Sequence, residues 1–330
     1  MSISALRERA ASQALEFAWD SWAQMGVFAA PRIEDTRTAD PEALLVFTLE
    51  VARRDPRLFD EVLDWLLENE RLISVQRLRN LCRDERDTRL VGAALRWVSQ
   101  FRPNPRFGRD APAKERWPQE PLFRAASADV WNPDPFFLEF GLVRPAAGPT
   151  GKSQLPDVTR PINLALRLRL ALGVSSRAEV VRFLLTGPAP GVSAQVVAEA
   201  VAFSKRNVFQ TLDGLVEAEL VSQLTVGNER RYAIEREVWW ALLHVDRPPE
   251  YREWPQLLWA VRQLLRWLDD PAVDVLSDSM RASAARDVSE RLESSLLLAG
   301  VPVVGKTLPG ARYWEGFVET VDGALAALRG

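Results

Sequence analysis

The chain has 330 residues, 47% of them hydrophobic, and a formal net charge of −3. This length and composition support two or three hydrophobic cores and exclude overall disorder. One cysteine, Cys82, excludes an intramolecular disulfide framework, and one histidine, His244, excludes a multi-histidine metal site.

Residues 3–25 carry Leu6, Ala10, Phe17, Ala18, Trp22 and Met25 at helical spacing, which predicts an amphipathic helix. Further helices are expected over 41–54, 56–69 and 87–101, with Asp55-Pro56 as a breaker. Phe59, Leu63, Leu66 and Leu67 form one apolar face, and Leu90, Ala94, Trp97 and Phe101 another. The mixed run Arg83, Asp84, Glu85, Arg86, Asp87 reads as a solvated loop or helix end, since charge runs of both signs usually face water. Residues 1–101 are therefore expected to form an α-helical domain.

Residues 102–157 shift to Pro, Gly and Arg and read as a linker or a strap over the surface, with one short buried strand at 136–143. Arg102, Arg106, Arg109, Lys114 and Arg116 are candidates for non-specific phosphate contact, although a solvated linker is the plainer reading. The run ending Gly151-Lys152-Ser153 resembles a phosphate-binding P-loop. Its first glycine is replaced by Ala146, however, and Pro156 stands where the phosphate-binding helix should run. Its N–H groups are not expected to converge on a phosphate, and a Gly/Pro linker is the preferred reading.

Residues 158–236 are the most informative. A short helix over 162–172 should turn Leu164, Leu168 and Leu172 inward and Arg167 and Arg169 outward or to a rim. Ser176-x-x-Glu179 before an apolar run is a capping-box signature, and Gly187-Pro188 ends that helix. Ser193 and Ser204 are expected N-caps of two further helices joined by a tight turn. In the last of these, Val208, Leu212 and Leu215 fall on one core-facing stripe. The exposed first turn presents Lys205, Arg206, Asn207 and Gln210, a donor-rich set suited to base edges and phosphates. The chain then alternates in strand fashion from Val221, turns at Gly227-Asn228 and returns through Arg230, Arg231 and Tyr232, so a hairpin with two arginines near its tip is expected. Residues 152–236 hold eleven basic and eight acidic side chains, about +3 in a chain of −3 overall, which favours this part as the phosphate-facing one.

The segment 176–234 resembles the winged helix-turn-helix of MarR-like and ArsR-like transcription regulators. The resemblance implies that the helix starting at Ser204 enters the major groove and that the hairpin wing touches the backbone or minor groove. Arg206, Asn207 and Gln210 are then assigned to base edges, and Ser204, Lys205, Arg230 and Arg231 to backbone or minor groove. Two positions depart from the pattern: a turn glycine is Ala202 here, and the glycine before the first wing strand is Glu219. Both sites often need left-handed backbone, so displaced helix ends are expected.

Residues 237–330 read as a second α-helical domain, entered through the apolar run at Trp239, Trp240, Leu242 and Leu243 and containing helices near 255–268, 278–299 and 310–328. The first of these is so apolar that it should be central. His244 reads as a core-edge histidine. The twelve tryptophans are mostly expected in cores, with a ligand cavity or dimer contact as the alternative.

No nucleophile constellation, zinc spacing, dinucleotide fingerprint or paired-carboxylate setting is present, so neither enzyme activity nor a cofactor is expected. There is no run of about 18 apolar residues and no signal-peptide h-region, which predicts a cytoplasmic protein without membrane contact. The expectation is a mainly α, multi-domain protein with a central winged helix-turn-helix and a small β-hairpin wing flanked by α-helical domains. It would act on double-stranded DNA as a homodimeric regulator, a repressor by preference, with a protein partner or small-molecule signal. The alternative is an interaction module, such as an antitoxin-like neutraliser of a partner protein.

Overall fold

Helix starts in this chain are set by Ser or Asp, whose side chains accept the free N–H groups of the first turn, often with proline in the first helical position. In the computed structural model, which describes residues 1–31, 36–107, 117–124 and 130–329, these signals open most of the helices. Ser2 caps α1 (Ile3–Gln24), Asp40 with Pro41 opens α2 (Pro41–Val51), and Asp55 with Pro56 opens α3 (Pro56–Asn69). Ser74 caps α4 (Val75–Leu81), a short helix for which the apolar pattern gave no warning, and Asp84 caps α5 (Glu85–Phe101).

The described parts of residues 102–157 run as a strap across the first helices. β1 (Glu120–Pro121) pairs in parallel with β2 (Leu142–Val143), and α6 (Pro135–Leu138) stands where the sequence suggested the start of one continuous strand. Phe107, Leu122, Phe137 and Phe140 bury themselves in the core beneath. Gly92, in the middle of α5, exists for this contact: a Cβ there would lie 2.4 Å from the Phe140 ring. Arg109, Lys114 and Arg116 lie outside the described residues.

A second run of elements follows: α7 (Leu164–Leu172), α8 (Ser176–Thr186), β3 (Val192–Ser193), α9 (Ala194–Val201), α10 (Lys205–Glu217), β4 (Ser222–Val226), β5 (Glu229–Ala233) and α11 (Arg236–Leu242). The strands form one antiparallel sheet in the order β3-β5-β4. The chain closes with α12 (Trp254–Leu268), α13 (Pro271–Asp274), α14 (Asp278–Leu298) and α15 (Tyr313–Arg329).

Two apolar cores organise these elements. One is built from α1 to α6 together with α12, α14 and α15, so the N- and C-terminal helices, read from the sequence as two domains, share a single core. The apolar helix α12 is central to it, packing on α1, α2, α14 and α15, with Trp254 donating 2.6 Å to the Thr38 carbonyl and Trp267 edge-on to Phe317. Trp22 and Trp65 are fully buried there and meet edge to face at 4.8 Å. The other core joins α7 to α11 and the three-stranded sheet around Val197, Val208, Leu212 and Tyr232.

The junction between the cores is ionic. Arg77 of α4, Arg169 of α7 and Arg182 of α8 meet Asp40, Glu42 and Glu179, and all six are at most 4% exposed. Arg169 donates to Glu42 at 2.6 Å and to Glu179 at 2.6 Å, Arg182 donates to Glu179 at 3.1 Å, and Arg77 donates to Glu42 at 2.8 Å and to Asp40. Three guanidiniums against three carboxylates balance, which is what permits the group to be buried. Burial alone would push the carboxyls up, but the surrounding arginines hold Asp40 below and Glu179 far below the usual carboxylate range.

Three charged or polar positions depart from expectation. Arg169, expected outward or at a rim, is buried because residues of the first core, Glu42 and Leu72, cover that side of α7. Ser176 is not the cap of α8: Ser175 is, and Glu179 turns into the ionic group rather than back to the helix start. Within the run 83–87, Asp87 is buried and receives hydrogen bonds from Arg262 and Arg266 of α12, at 2.7 and 2.8 Å, instead of facing water.

The P-loop-like run also departs from expectation. Its N–H groups do converge on an anion, but the anion is the protein's own Asp64, which accepts from the backbones of Thr150 (2.8 Å), Gly151 (3.2 Å), Lys152 (3.1 Å) and Ser153 (3.4 Å) and from the Thr150 hydroxyl (2.9 Å). Gly151, at φ +67°, supplies the turn that aligns them. A carboxylate on α3 thus occupies the cradle and pins residues 150–153 to the first core.

Candidate functional site

The candidate site is built on α9, α10 and the β4–β5 hairpin. α9 ends at Ala202, which takes left-handed backbone at φ +54°, and Phe203 then tucks its ring into the core. Ser204 caps α10 by accepting from the Asn207 N–H at 3.3 Å. After α10, Glu219 is also left-handed, at φ +59°. Both of these non-glycine positions thus take left-handed backbone, just after α9 and α10. Backbone bonds from Phe203 N–H to the Ala198 carbonyl and from Leu220 N–H to the Leu215 carbonyl hold the two turns.

Val208, Leu212 and Leu215 are buried as their spacing requires. Opposite them the outward stripe runs Arg206, Gln210, Asp213, Glu217, with the cation and amide in the N-terminal half and the acids in the C-terminal half. Lys205, Arg206 and Gln210 are exposed. Phe209, 37% exposed, flanks the stripe, and Arg230 of the hairpin lies over its ring at 5.7 Å. The hairpin guanidinium is thereby held beside the exposed first turns of α10.

The hairpin register separates the two arginines. Gln223 pairs with Tyr232 and Thr225 with Arg230, on the face whose Tyr232 is fully buried in the core. Leu224 pairs with Arg231 and Val226 with Glu229, on the other face. Strand side chains alternate, so Arg230 and Arg231 cannot share a face. Arg231 bonds Glu229 at 3.3 Å on the side away from α10. The two-residue turn has positive φ at Gly227 alone, the conformation glycine supplies at the first central position of a II′ turn.

Asn207 is also set apart. Its helical position is on the flank facing α4, where it lines a cleft of about 320 Å³ with Ser74, Gln76, Arg79 and Arg106, and its amide oxygen is buried with no partner. The same flank is anchored to the first core: Arg77 donates to the Val201 carbonyl at 2.8 Å and Asn80 to the Ala202 carbonyl at 2.9 Å. Of the seven residues singled out in the sequence, the structure gathers Lys205, Arg206, Gln210 and Arg230 on one exposed side, with Ser204 as the cap at its start. Asn207 and Arg231 lie elsewhere. Phe209 was missed, although its i+3 position from Arg206 placed it at the rim of the same face.

Among the described residues no group of three or more His, Cys, Asp or Glu side chains is placed to hold a metal ion, and no helix is long and apolar enough to cross a membrane. No protein-family model matches the chain, and neither the curated proteins nor the solved structures contain a significant match to it.

Proposed function

We propose that this chain is a sequence-specific DNA-binding transcriptional regulator whose α8-to-β5 segment is a winged helix-turn-helix set against a helical body. The observation that carries the reading is the exposed first half of α10, where Arg206 and Gln210 point outward and Arg230 of the hairpin stands alongside. Arg206 and Gln210 would read base edges, and Lys205 and Arg230 would hold phosphates. Asp213 and Glu217 lie at the far end of the stripe, so a helix entering the groove by its N-terminal turns keeps them clear of the backbone. One such helix reads few base pairs, so the active form is a homodimer on two half-sites in the cytoplasm, repressing by occupancy.

The test is fluorescence anisotropy on a labelled duplex from upstream of the protein's own gene, against a scrambled duplex, at two salt concentrations. A preference of about a thousandfold or more with steep salt dependence is expected. Arg206→Ala should cost about 1–3 kcal/mol and relax specificity at one position, whereas Arg230→Ala should weaken binding to all sequences and lower the salt slope by about 1. Arg231→Ala, on the opposite face, should change neither. Equal losses for the Arg230 and Arg231 variants would refute the assignment of faces.

A second reading, an interaction module that neutralises a partner protein, is favoured by one observation. Leu224 (69% exposed) and Val226 (52%) form an apolar strip on the back of β4, which is an edge strand. Salt-insensitive protein binding without any DNA binding would select it.

A further inference from the structure

The loop after α11 closes a cleft against the start of α7. α11 ends at Leu243, and His244 takes left-handed backbone at φ +49°, with Val245 N–H bonded to the Trp240 carbonyl at 2.9 Å. This is a helix C-terminal turn in which glycine is usual. The reversal brings residues 245–249 back over the start of α7, enclosing about 290 Å³ between Thr159, Arg160, Leu164 and Arg167 on one wall and His244, Asp246 and Arg247 on the other.

The charge in this cleft is not balanced as it is elsewhere. Arg160, Arg167 and Arg247 line the cleft with one carboxylate, Asp246, which forms no ion pair with any described residue, and a second carboxylate, Asp157, stands beside Arg160 and Thr159. Arg167 is half-buried yet makes no hydrogen bond or ion pair with any described residue, and Arg247 makes none either. Arg160 meets only Asp157, at 3.8 Å. By contrast Arg77, Arg169, Arg182, Arg262 and Arg266 all carry carboxylate partners within 3 to 4 Å or closer. Guanidiniums lining one concave site repel one another unless an anion bridges them, and their planar forks match the oxygens of a phosphoryl group.

We propose that the cleft lined by Arg160, Arg167, His244 and Arg247 binds a phosphoryl group, carried either by a small phosphorylated molecule or by a nucleic-acid backbone. Arg167 is the central ligand because it is the least exposed of the unpaired cations. The exposed His244 ring stands on the opposite wall from Arg167, whereas the Thr159 hydroxyl already donates to Asp157 at 2.6 Å. The inference needs no DNA reading by α10, since its primary test contains no DNA.

Isothermal titration of the full chain with sodium pyrophosphate, at ionic strength held constant with sodium chloride, should give saturable binding. Arg167→Gln should weaken it by about tenfold to a hundredfold, the range for loss of charge-assisted hydrogen bonds. Arg247→Gln, at a more exposed position, should weaken it less, and Arg206→Gln on α10 should leave it unchanged. Because Arg167 makes no hydrogen bond or ion pair with any described residue, its variant should keep the parent melting temperature, and Arg247→Gln gives a second reading if it does not. Absence of saturable pyrophosphate binding, or binding unaffected by both variants, overturns the proposal. The source is separated by a labelled random duplex: displacement by pyrophosphate with a reduced salt slope in Arg167→Gln identifies backbone phosphate, and unchanged duplex binding identifies a free phosphorylated ligand.

Discussion

Glu179→Gln is the sharpest test of the ionic junction. The side chain is 1% exposed and accepts three hydrogen bonds, from Arg169 Nε (2.9 Å), Arg169 Nη2 (2.6 Å) and Arg182 Nε (3.1 Å). The amide keeps the shape and one acceptor but removes the charge, leaving Arg77, Arg169 and Arg182 against Asp40 and Glu42 alone. The amide NH₂ must also face a guanidinium. Breaking a buried ion pair from one side costs about 3–5 kcal/mol, because the remaining charge stays dehydrated. Against a typical total of about 5–15 kcal/mol, that is a large fraction. Urea unfolding followed by circular dichroism and by tryptophan emission should show a lowered midpoint. The two probes should separate if the junction yields before the cores do, since Glu179 lies on the second core and Asp40 and Glu42 on the first. Glu229→Gln, which removes the exposed partner of Arg231, is the control and should cost at most about 1 kcal/mol. A loss below about 1 kcal/mol for Glu179→Gln would refute the view that this buried charge is required where it sits.

Three further outcomes follow from the packing. Gly92→Ala improves intrinsic helix propensity by about 1 kcal/mol, but its methyl meets the Phe140 ring; overpacking of about 1–3 kcal/mol should win, and thermal melting should shift down. Glu219→Gly removes a left-handed non-glycine residue at an exposed position and should raise stability by about 0.5–1 kcal/mol in the same assay; a lower melting temperature would count against strain there. Asp64 is pushed up by burial, but the backbone N–H groups of Gly151, Thr150 and Lys152 and the Thr150 hydroxyl outweigh this and hold it below the ordinary value. Its stabilising contribution is therefore present above the unfolded-state pKa of about 3.9 and lost as pH falls through the depressed folded value. Asp64→Asn should flatten that part of the acid limb of the stability profile, and an unchanged profile would contradict the assignment.

Much of the secondary structure was legible because its signals are local. Asp55-Pro56 fixes the start of α3, Ser204 the start of α10, and Val208, Leu212 and Leu215 choose the buried face of α10 by spacing alone. The opposition of Arg230 and Arg231 was equally available, since adjacent strand residues always point to opposite faces. The short helix α4 escaped because seven residues hold too few turns to show a period.

What the sequence could not determine was which distant surface covers each face. Arg169, Glu179 and Asp87 looked like rim, cap and solvated charge because each is flanked by polar or apolar neighbours that fit those roles locally. Their burial depends on partners far along the chain, Glu42 for Arg169 and Arg262 for Asp87, separated by 127 and 175 residues. The same holds for Asp64 in the 150–153 cradle. Local periodicity sets the direction of a side chain relative to its own helix or strand, whereas the charge that meets it is set only when the helices from both ends of the chain close around α12 and dock against the second core.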